Sequence, residues 1–286
     1  MLTYFQAVVF GILQGVTELF PISSLGHSVV LPRLLGWNID QSAPFFLTFL
    51  VATHSATALV LFFYFFADWK RILSGLYRSL KEREIKENDA NAKLGWLLVV
   101  ATIPAGILGI LFETALTKLF ANPQLVAGVL VLNGILLYGA EILRKRRKEQ
   151  VKQTLSNERI AKLSWSQAIQ IGLLQCIALI PGFSRTGATL TGGLLQGLSH
   201  KDSVRFAFLL ATPIIGAASL LKLPELAGSS ENGALIPVLI GALTAGIAAY
   251  FSVKFLTKYF ETKTLTPFAI YCCVVGGVLS ILFFFR

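Results

Sequence analysis

The chain has 286 residues, of which 55% are hydrophobic and only 14% charged, with 22 phenylalanines and a mean hydropathy of +0.69. That much apolar surface cannot be hidden inside a soluble domain, which excludes a water-soluble enzyme or binding module and makes the chain an all-α polytopic membrane protein. The net charge of +10 needs no nucleic acid, because an excess of Lys and Arg is what the cytoplasmic loops of a membrane protein carry.

In chain order, residues 1–37 hold an apolar piece broken in its middle, TELFPISSLGH at residues 17–27. The apolar runs 1–20 and 26–35 are together too short for two crossings, so they read as a re-entrant hairpin. The N-terminus has neither a basic region nor a cleavage site for a removable signal peptide, so this segment is expected to stay in the mature protein. Between Asp40 and Asp68 no charged residue occurs, which gives the first full span. A basic loop over 67–93 follows (Lys70, Arg71, Arg78, Lys81, Arg83, Lys86, Lys93), then spans near 94–112 and 125–143. A second basic loop, 144–163, carries Arg144, Lys145, Arg146, Arg147, Lys148, Lys152, Arg159 and Lys162. Beyond it a second broken apolar piece, 165–199, contains LIPGFSRTGAT. Spans near 204–221, 234–253 and 265–285 complete the chain. The connection 223–233 carries only Glu225 and Glu231, and 254–263 is basic again. Cys176, Cys272 and Cys273 all lie in apolar segments and read as packing residues.

The two halves repeat. GILQGVTELFPISSLG at residues 11–26 parallels GLLQCIALIPGFSRTG at 172–187 with a one-residue gap. FFLTFLVATHSATALVL at 45–61 parallels FAFLLATPIIGAASLL at 206–221, and PAGILGILF from Pro104 parallels TAGIAAYFS from Thr244. Placing the basic loops in the cytoplasm gives each half three crossings, so the second copy is inverted relative to the first. The expected architecture is six transmembrane helices plus two re-entrant helix-loop-helix hairpins, about ten helices in two inverted repeats. Repeat one spans 1–143 and repeat two 164–286, with both termini outside the cytoplasm. The hairpin breaks at 21–23 and 181–183 then meet near the midplane from opposite faces.

Each break is expected to end a first helix at its proline and begin a second at a serine. Ser23 or Ser24 in one hairpin and Ser184 in the other cap helices whose free N–H groups point at the protein centre, an arrangement suited to phosphate. Arg185 adds a planar fork for phosphate oxygens, and unpaired at that depth it would cost about 2.5–3.5 kcal/mol. Gln14 and Glu18 lie one turn apart on the same helix face. Glu18 suits a divalent cation shared with substrate phosphates, a proton transfer, or a structural ion pair with Arg185. His27 suits an acid, a base or a nucleophile, and Ser24 is the alternative nucleophile. Thr186 and Thr189 follow Arg185 and are expected to line the site. His54 sits in a plain span and reads as a packing or helix-bonded residue.

QGVTELFPISSLGH and LIPGFSRTGAT resemble the two signature segments of the undecaprenyl-diphosphatase family, the bacterial enzymes linked to bacitracin resistance. The similarity spans the chain and includes FAFLLATP and PFAIY. It implies hydrolysis of undecaprenyl diphosphate to the monophosphate lipid carrier used for peptidoglycan and other envelope polymers. It places the catalytic set on Glu18, Ser24, His27 and Arg185, and substrate contacts on Gln14, Ser23, Gly26, Ser184, Thr186 and Thr189. It also implies a divalent cation, Mg2+ or Ca2+, held by Glu18, in a bacterial inner-membrane protein whose site faces the periplasm. A homodimer is left open. The first motif position, glutamate in some members, is Gln14 here, which weighs against a scheme that needs two carboxylates. The phosphatidic-acid-phosphatase type is a poor match, because Thr191 stands six residues beyond Arg185 where that family has His. The rival classes are a lipid-carrier transporter or flippase of inverted-repeat type, and a membrane scaffold in which Glu18→Gln would be harmless.

Overall fold

The computed structural model describes residues 2–41, 43–112, 122–145, 156–228 and 235–285, and these fold into helices without strands. The basic residues Arg146, Arg147, Lys148 and Lys152 lie outside the described residues, as do residues 229–233 of the connection assigned to 223–233, whereas its first part, 223–228 with Glu225, continues the preceding helix.

The first hairpin is α1 (Tyr4–Thr17) and α2 (Ser24–Leu35). The span α3 (Pro44–Tyr64) runs almost directly into α4 (Phe66–Glu82), and α5 (Ala90–Leu111) and α6 (Pro123–Lys145) return across the membrane. After the short α7 (Ser156–Ile160) comes the second hairpin, formed by α8 (Trp165–Cys176), a 3-10 turn (Ile177–Leu179) and α9 (Arg185–Leu195). Three spans follow: α10 (His200–Gly228), α11 (Leu235–Tyr259) and α12 (Thr266–Phe284). Among the described residues six helices are long and apolar enough to cross a bilayer, as the composition required.

Two helices were not expected. Much of the loop assigned to 67–93 is α4, which buries Asp68, Trp69, Ile72, Gly75 and Ser79 at helical spacing and leaves its basic residues outside. The charge content that marked the segment as a loop is the outer face of this amphipathic helix. Within the second basic loop α7 is anchored, since Arg159 donates Nε and Nη2 to Asp202 of α10 at 2.7 and 2.9 Å.

The two hairpins share their caps and their mode of packing. Both hairpins open on the same reciprocal cap. Thr3 Oγ1 accepts from the Gln6 amide while Gln6 Oε1 accepts from the Thr3 amide, and Ser164 and Gln167 do the same. Each first hairpin helix then packs on a span of the other half, α1 on α11 and α8 on α5. Small residues make the approach close. A Cβ on Gly15 would stand 2.2 Å from the Ala245 carbonyl oxygen, and one on Gly172 would stand 2.4 Å from that of Ala101. Helix α6 packs on α12, and α3 packs on α10, so the hairpins are enclosed by spans from both halves.

Candidate functional site

Each first hairpin helix ends before its proline, at Thr17 and Cys176 rather than at residues 20 and 180. The cause is the proline ring, which clashes with the carbonyl four residues earlier, here Thr17 for Pro21 and Ile177 for Pro181. Glu18 therefore sits at the end of α1, where the chain turns toward the protein centre. Ser23, although not glycine, has φ 71° and ψ 102°, a strained backbone of the kind that clusters at functional sites. Ser23 is the cap of α2, its Oγ accepting from the Gly26 amide at 3.2 Å. Ser184 is the cap of α9, its Oγ accepting from the Gly187 amide at 3.1 Å. That leaves Ser24 free of capping.

The tips meet. Gly26 lies against Gly182, with a Cβ on Gly26 only 3.3 Å from the Gly182 Cα. Ser184 Oγ donates to the Phe20 carbonyl at 3.3 Å, and Thr186 Oγ1 donates to the Glu18 carbonyl at 2.9 Å. Asn133 of α6 holds both tips at once. Its Nδ2 donates to the Pro21 carbonyl at 3.0 Å, and its Oδ1 accepts from the Ser184 amide at 3.1 Å.

Glu18 is the hub. Its Oε2 accepts from Gln14 Nε2 at 3.0 Å and from Ser24 Oγ at 2.5 Å. Its Oε1 is ion-paired with Arg185 from the other hairpin. His54 Nε2 stands 3.2 Å from Glu18 Oε2, while its Nδ1–H donates to the Leu50 carbonyl at 2.7 Å and so fixes the ring. The expected helix bond of His54 is present, but the residue is also part of the site, contrary to its reading as a bystander. A cavity of about 300 Å³ opens beside this cluster, with Glu18, Ser24, His54, Gln175, Ser184 and Arg185 as its polar lining. Apolar residues from α5 and α10, among them Ala105 and Ile214, close the wall.

Of the expected residues, Gln14, Ser23, Gly26, His27, Thr186 and Thr189 do not line this cavity, and Gln14 reaches it only through its bond to Glu18. His27 turns toward α12, where its Nδ1–H donates to the Ser23 carbonyl at 2.6 Å and its Nε2 meets the Tyr271 hydroxyl at 2.8 Å. Thr189 is buried and donates to the carbonyls of Arg185 and Thr186 in its own helix, at 2.8 and 3.2 Å. The hydroxyls of Thr186 and Ser23 serve the framework of the tips, and Gly26 gives them room.

The family model for the bacitracin resistance protein BacA matches residues 7–278. The chain belongs to the BacA family. Among its relatives is an undecaprenyl-diphosphatase of Mycolicibacterium paratuberculosis, 45% identical over 96% of each chain. An undecaprenyl-diphosphatase 2 of Chromobacterium violaceum is 45% identical over 97% of this chain and 98% of its own. One of Frankia alni is 41% identical over 99% of this chain and 98% of its own.

Two residues of this BacA-family site, Asn133 and Gln175, were not singled out from the sequence, and His54 was read there only as a packing or helix-bonded residue. All three are polar side chains in mostly apolar helices, and such residues face the protein interior because lipid cannot satisfy them. That signal says where the side chain points, not what it meets. For a divalent cation the cavity offers one carboxylate, Glu18, and behind it the Gln14 Oε1, a buried oxygen without a hydrogen-bond partner. An oxygen-only donor set of this size fits Mg2+ or Ca2+ completed by substrate phosphates. No group of three His, Cys, Asp or Glu side chains stands ready for a metal among the described residues.

Proposed function

We propose that this protein hydrolyses undecaprenyl diphosphate to undecaprenyl phosphate and inorganic phosphate, returning the lipid carrier to envelope polymer synthesis and so conferring bacitracin resistance. The observation that carries the chemistry is the 2.5 Å hydrogen bond from Ser24 Oγ to Glu18 Oε2 at the wall of a cavity that also holds Arg185. Relatives along the whole chain named undecaprenyl-diphosphatase support the substrate, and nothing in them supports the transport alternative.

In this mechanism the diphosphate enters the cavity and Arg185 turns its fork from Glu18 onto phosphoryl oxygens, where the N-terminus of α9 adds amide donors. Ser24 Oγ attacks the terminal phosphorus and passes its proton to Glu18. The P–O bond to the bridging oxygen breaks, and undecaprenyl phosphate leaves. Water then releases inorganic phosphate from Ser24. Gln14 holds Glu18 in place by its Nε2–H, and His54 bears on the same oxygen. His27 acts on geometry, bonding the carbonyl of the strained Ser23 while Tyr271 secures its ring. A bound divalent cation, held by Glu18 and Gln14 Oε1, would neutralise the charge of the phosphates.

The protein is multi-pass, and the inner membrane is its place in a bacterium. Arg78 and Lys81 of α4, Lys93 of α5, and Lys254 and Lys258 of α11 support a cytoplasmic placement for the end of the helix bundle that carries them. Ala105 and Gly109, in the part of α5 remote from that end, line the cavity, which supports a site opening toward the periplasm with both termini on that side. The test is phosphate release from a prenyl diphosphate by purified protein in detergent, with mass spectrometry of the trapped intermediate. Turnover lost in Ser24→Ala and a phosphorylated Ser24 in the wild type are expected. Unchanged turnover in Ser24→Ala would refute the assignment.

A further inference from the structure

The two hairpins begin alike, with G-x-L-Q at residues 11–14 and 172–175, yet their glutamines end in different situations. Gln14 commits its Nε2 to Glu18 one turn later. One turn after Gln175 stands Leu179, so the second hairpin has no carboxylate to receive the equivalent bond. Gln175 is 2% exposed, and neither its Nε2 nor its Oε1 has a hydrogen-bond partner. It lines the cavity beside Ser184 and Arg185. The other polar residues of that lining, Glu18, Ser24, His54, Ser184 and Arg185, all have partners within the protein. Buried carboxamides are ordinarily satisfied, because leaving two donors and two acceptors idle is unfavourable. Ser28 and Thr191 also carry idle buried hydroxyls, but neither lines the cavity.

We propose that Gln175 is a substrate-binding residue whose Nε2–H donates to a phosphoryl oxygen of the lipid diphosphate head group. The assignment rests on the hydrolase activity proposed above. Phosphoryl oxygens only accept, so they take the amide end of the side chain, and a neutral donor adds a hydrogen bond beside Arg185 without adding charge. Repeat symmetry supplies the division of labour: one glutamine orients the carboxylate, and its counterpart in the inverted half faces the ligand.

The experiment uses the full-length protein in detergent, with farnesyl diphosphate as substrate and methylenediphosphonate as a non-hydrolysable head-group probe. Gln175→Leu is expected to lose roughly tenfold or more in kcat/KM, mostly through KM, the scale of one hydrogen bond to a charged group. Inhibition by methylenediphosphonate should weaken in parallel, while the thermal unfolding midpoint stays the same or rises because an unsatisfied polar group has gone. Gln175→Glu should lose more, since its carboxylate repels the phosphates. If Gln175→Leu does not fold, Gln175→Met is judged on the same readouts. Wild-type kcat/KM in the leucine or methionine variant overturns the proposal, and so does a fall in kcat/KM with undiminished inhibition. Absence of phosphate release from the wild type would instead refute the hydrolase function itself.

Discussion

Asn133→Leu tests whether the two hairpin tips are registered by a single side chain of α6. Asn133 is fully buried, and leucine has nearly its size, so the substitution removes hydrogen bonds without opening a large cavity. It leaves the Pro21 carbonyl without its bond from Nδ2 and the Ser184 amide without its bond to Oδ1. Each buried orphan costs about 1–3 kcal/mol, so together they remove about 2–6 kcal/mol. The bonds run to the segments that carry Glu18 and Ser24 on one side and Arg185 on the other. A displacement of about 1 Å between reacting groups lowers rates on the order of 100-fold, so turnover should fall by about that factor although no reacting group has changed. Asn133→Asp keeps the acceptor for Ser184 but cannot donate to Pro21 and buries a charge, so it should be no better. The assays are phosphate release from a prenyl diphosphate and thermal unfolding followed by tryptophan fluorescence in detergent. An Asn133→Leu protein with an unchanged midpoint and turnover within twofold of wild type would refute the reasoning. Lower stability with full turnover would refute its functional half.

Glu18→Gln keeps the size of the side chain but cannot take the Ser24 proton, and phosphate release should drop by roughly 10²–10⁴-fold, read in steady-state assays. Removing divalent cations with a chelator should abolish turnover, and Mg2+ or Ca2+ should restore it in the wild type; full activity in the chelator would exclude the cation. Gly182 has φ 107°, and a Cβ there would stand 2.7 Å from the Val126 carbonyl oxygen. Gly182→Ala should therefore lower the unfolding midpoint, at a strain of about 1–3 kcal/mol, and lower turnover with it. At the start of α5, Asp89 caps the helix, its Oδ1 accepting from the Ala92 amide at 3.0 Å and its Oδ2 paired with Arg78 at 2.8 Å. Burial pushes this carboxyl up, but the Ala92 amide and Arg78 outweigh it and hold it below the usual carboxylate range. With the folded pKa depressed, the stabilisation is complete above the ordinary Asp range and is lost as pH falls through the folded value. Asp89→Ala should cost about 1 kcal/mol at pH 7, and its deficit in unfolding midpoint against wild type should shrink at about pH 3.

Composition, charge placement and the repeated G-x-L-Q and proline-serine segments determined the six spans, the two broken hairpins and the convergence of Ser184, Arg185, Ser24 and Glu18, because those features act over one or two helical turns. Hydropathy of about 20 residues fixes a crossing wherever it occurs, and a proline stops a helix whatever surrounds it. Local rules still misplaced what depends on neighbours. The basic segment after α3 is helical because its buried face packs on α5, where Gly75 lies against Ala92 and Leu76 against Gly95. Thr189 faces carbonyls of its own helix, and His27 lies against Tyr271, 244 residues away in sequence. Only the tertiary structure decided that His54 reaches Glu18, that Asn133 joins both tips, and that Gln175 is left without a partner. The physical reason is that a polar side chain in an apolar helix must turn inward, while the group it meets there is set by how helices from the two halves pack across the molecule.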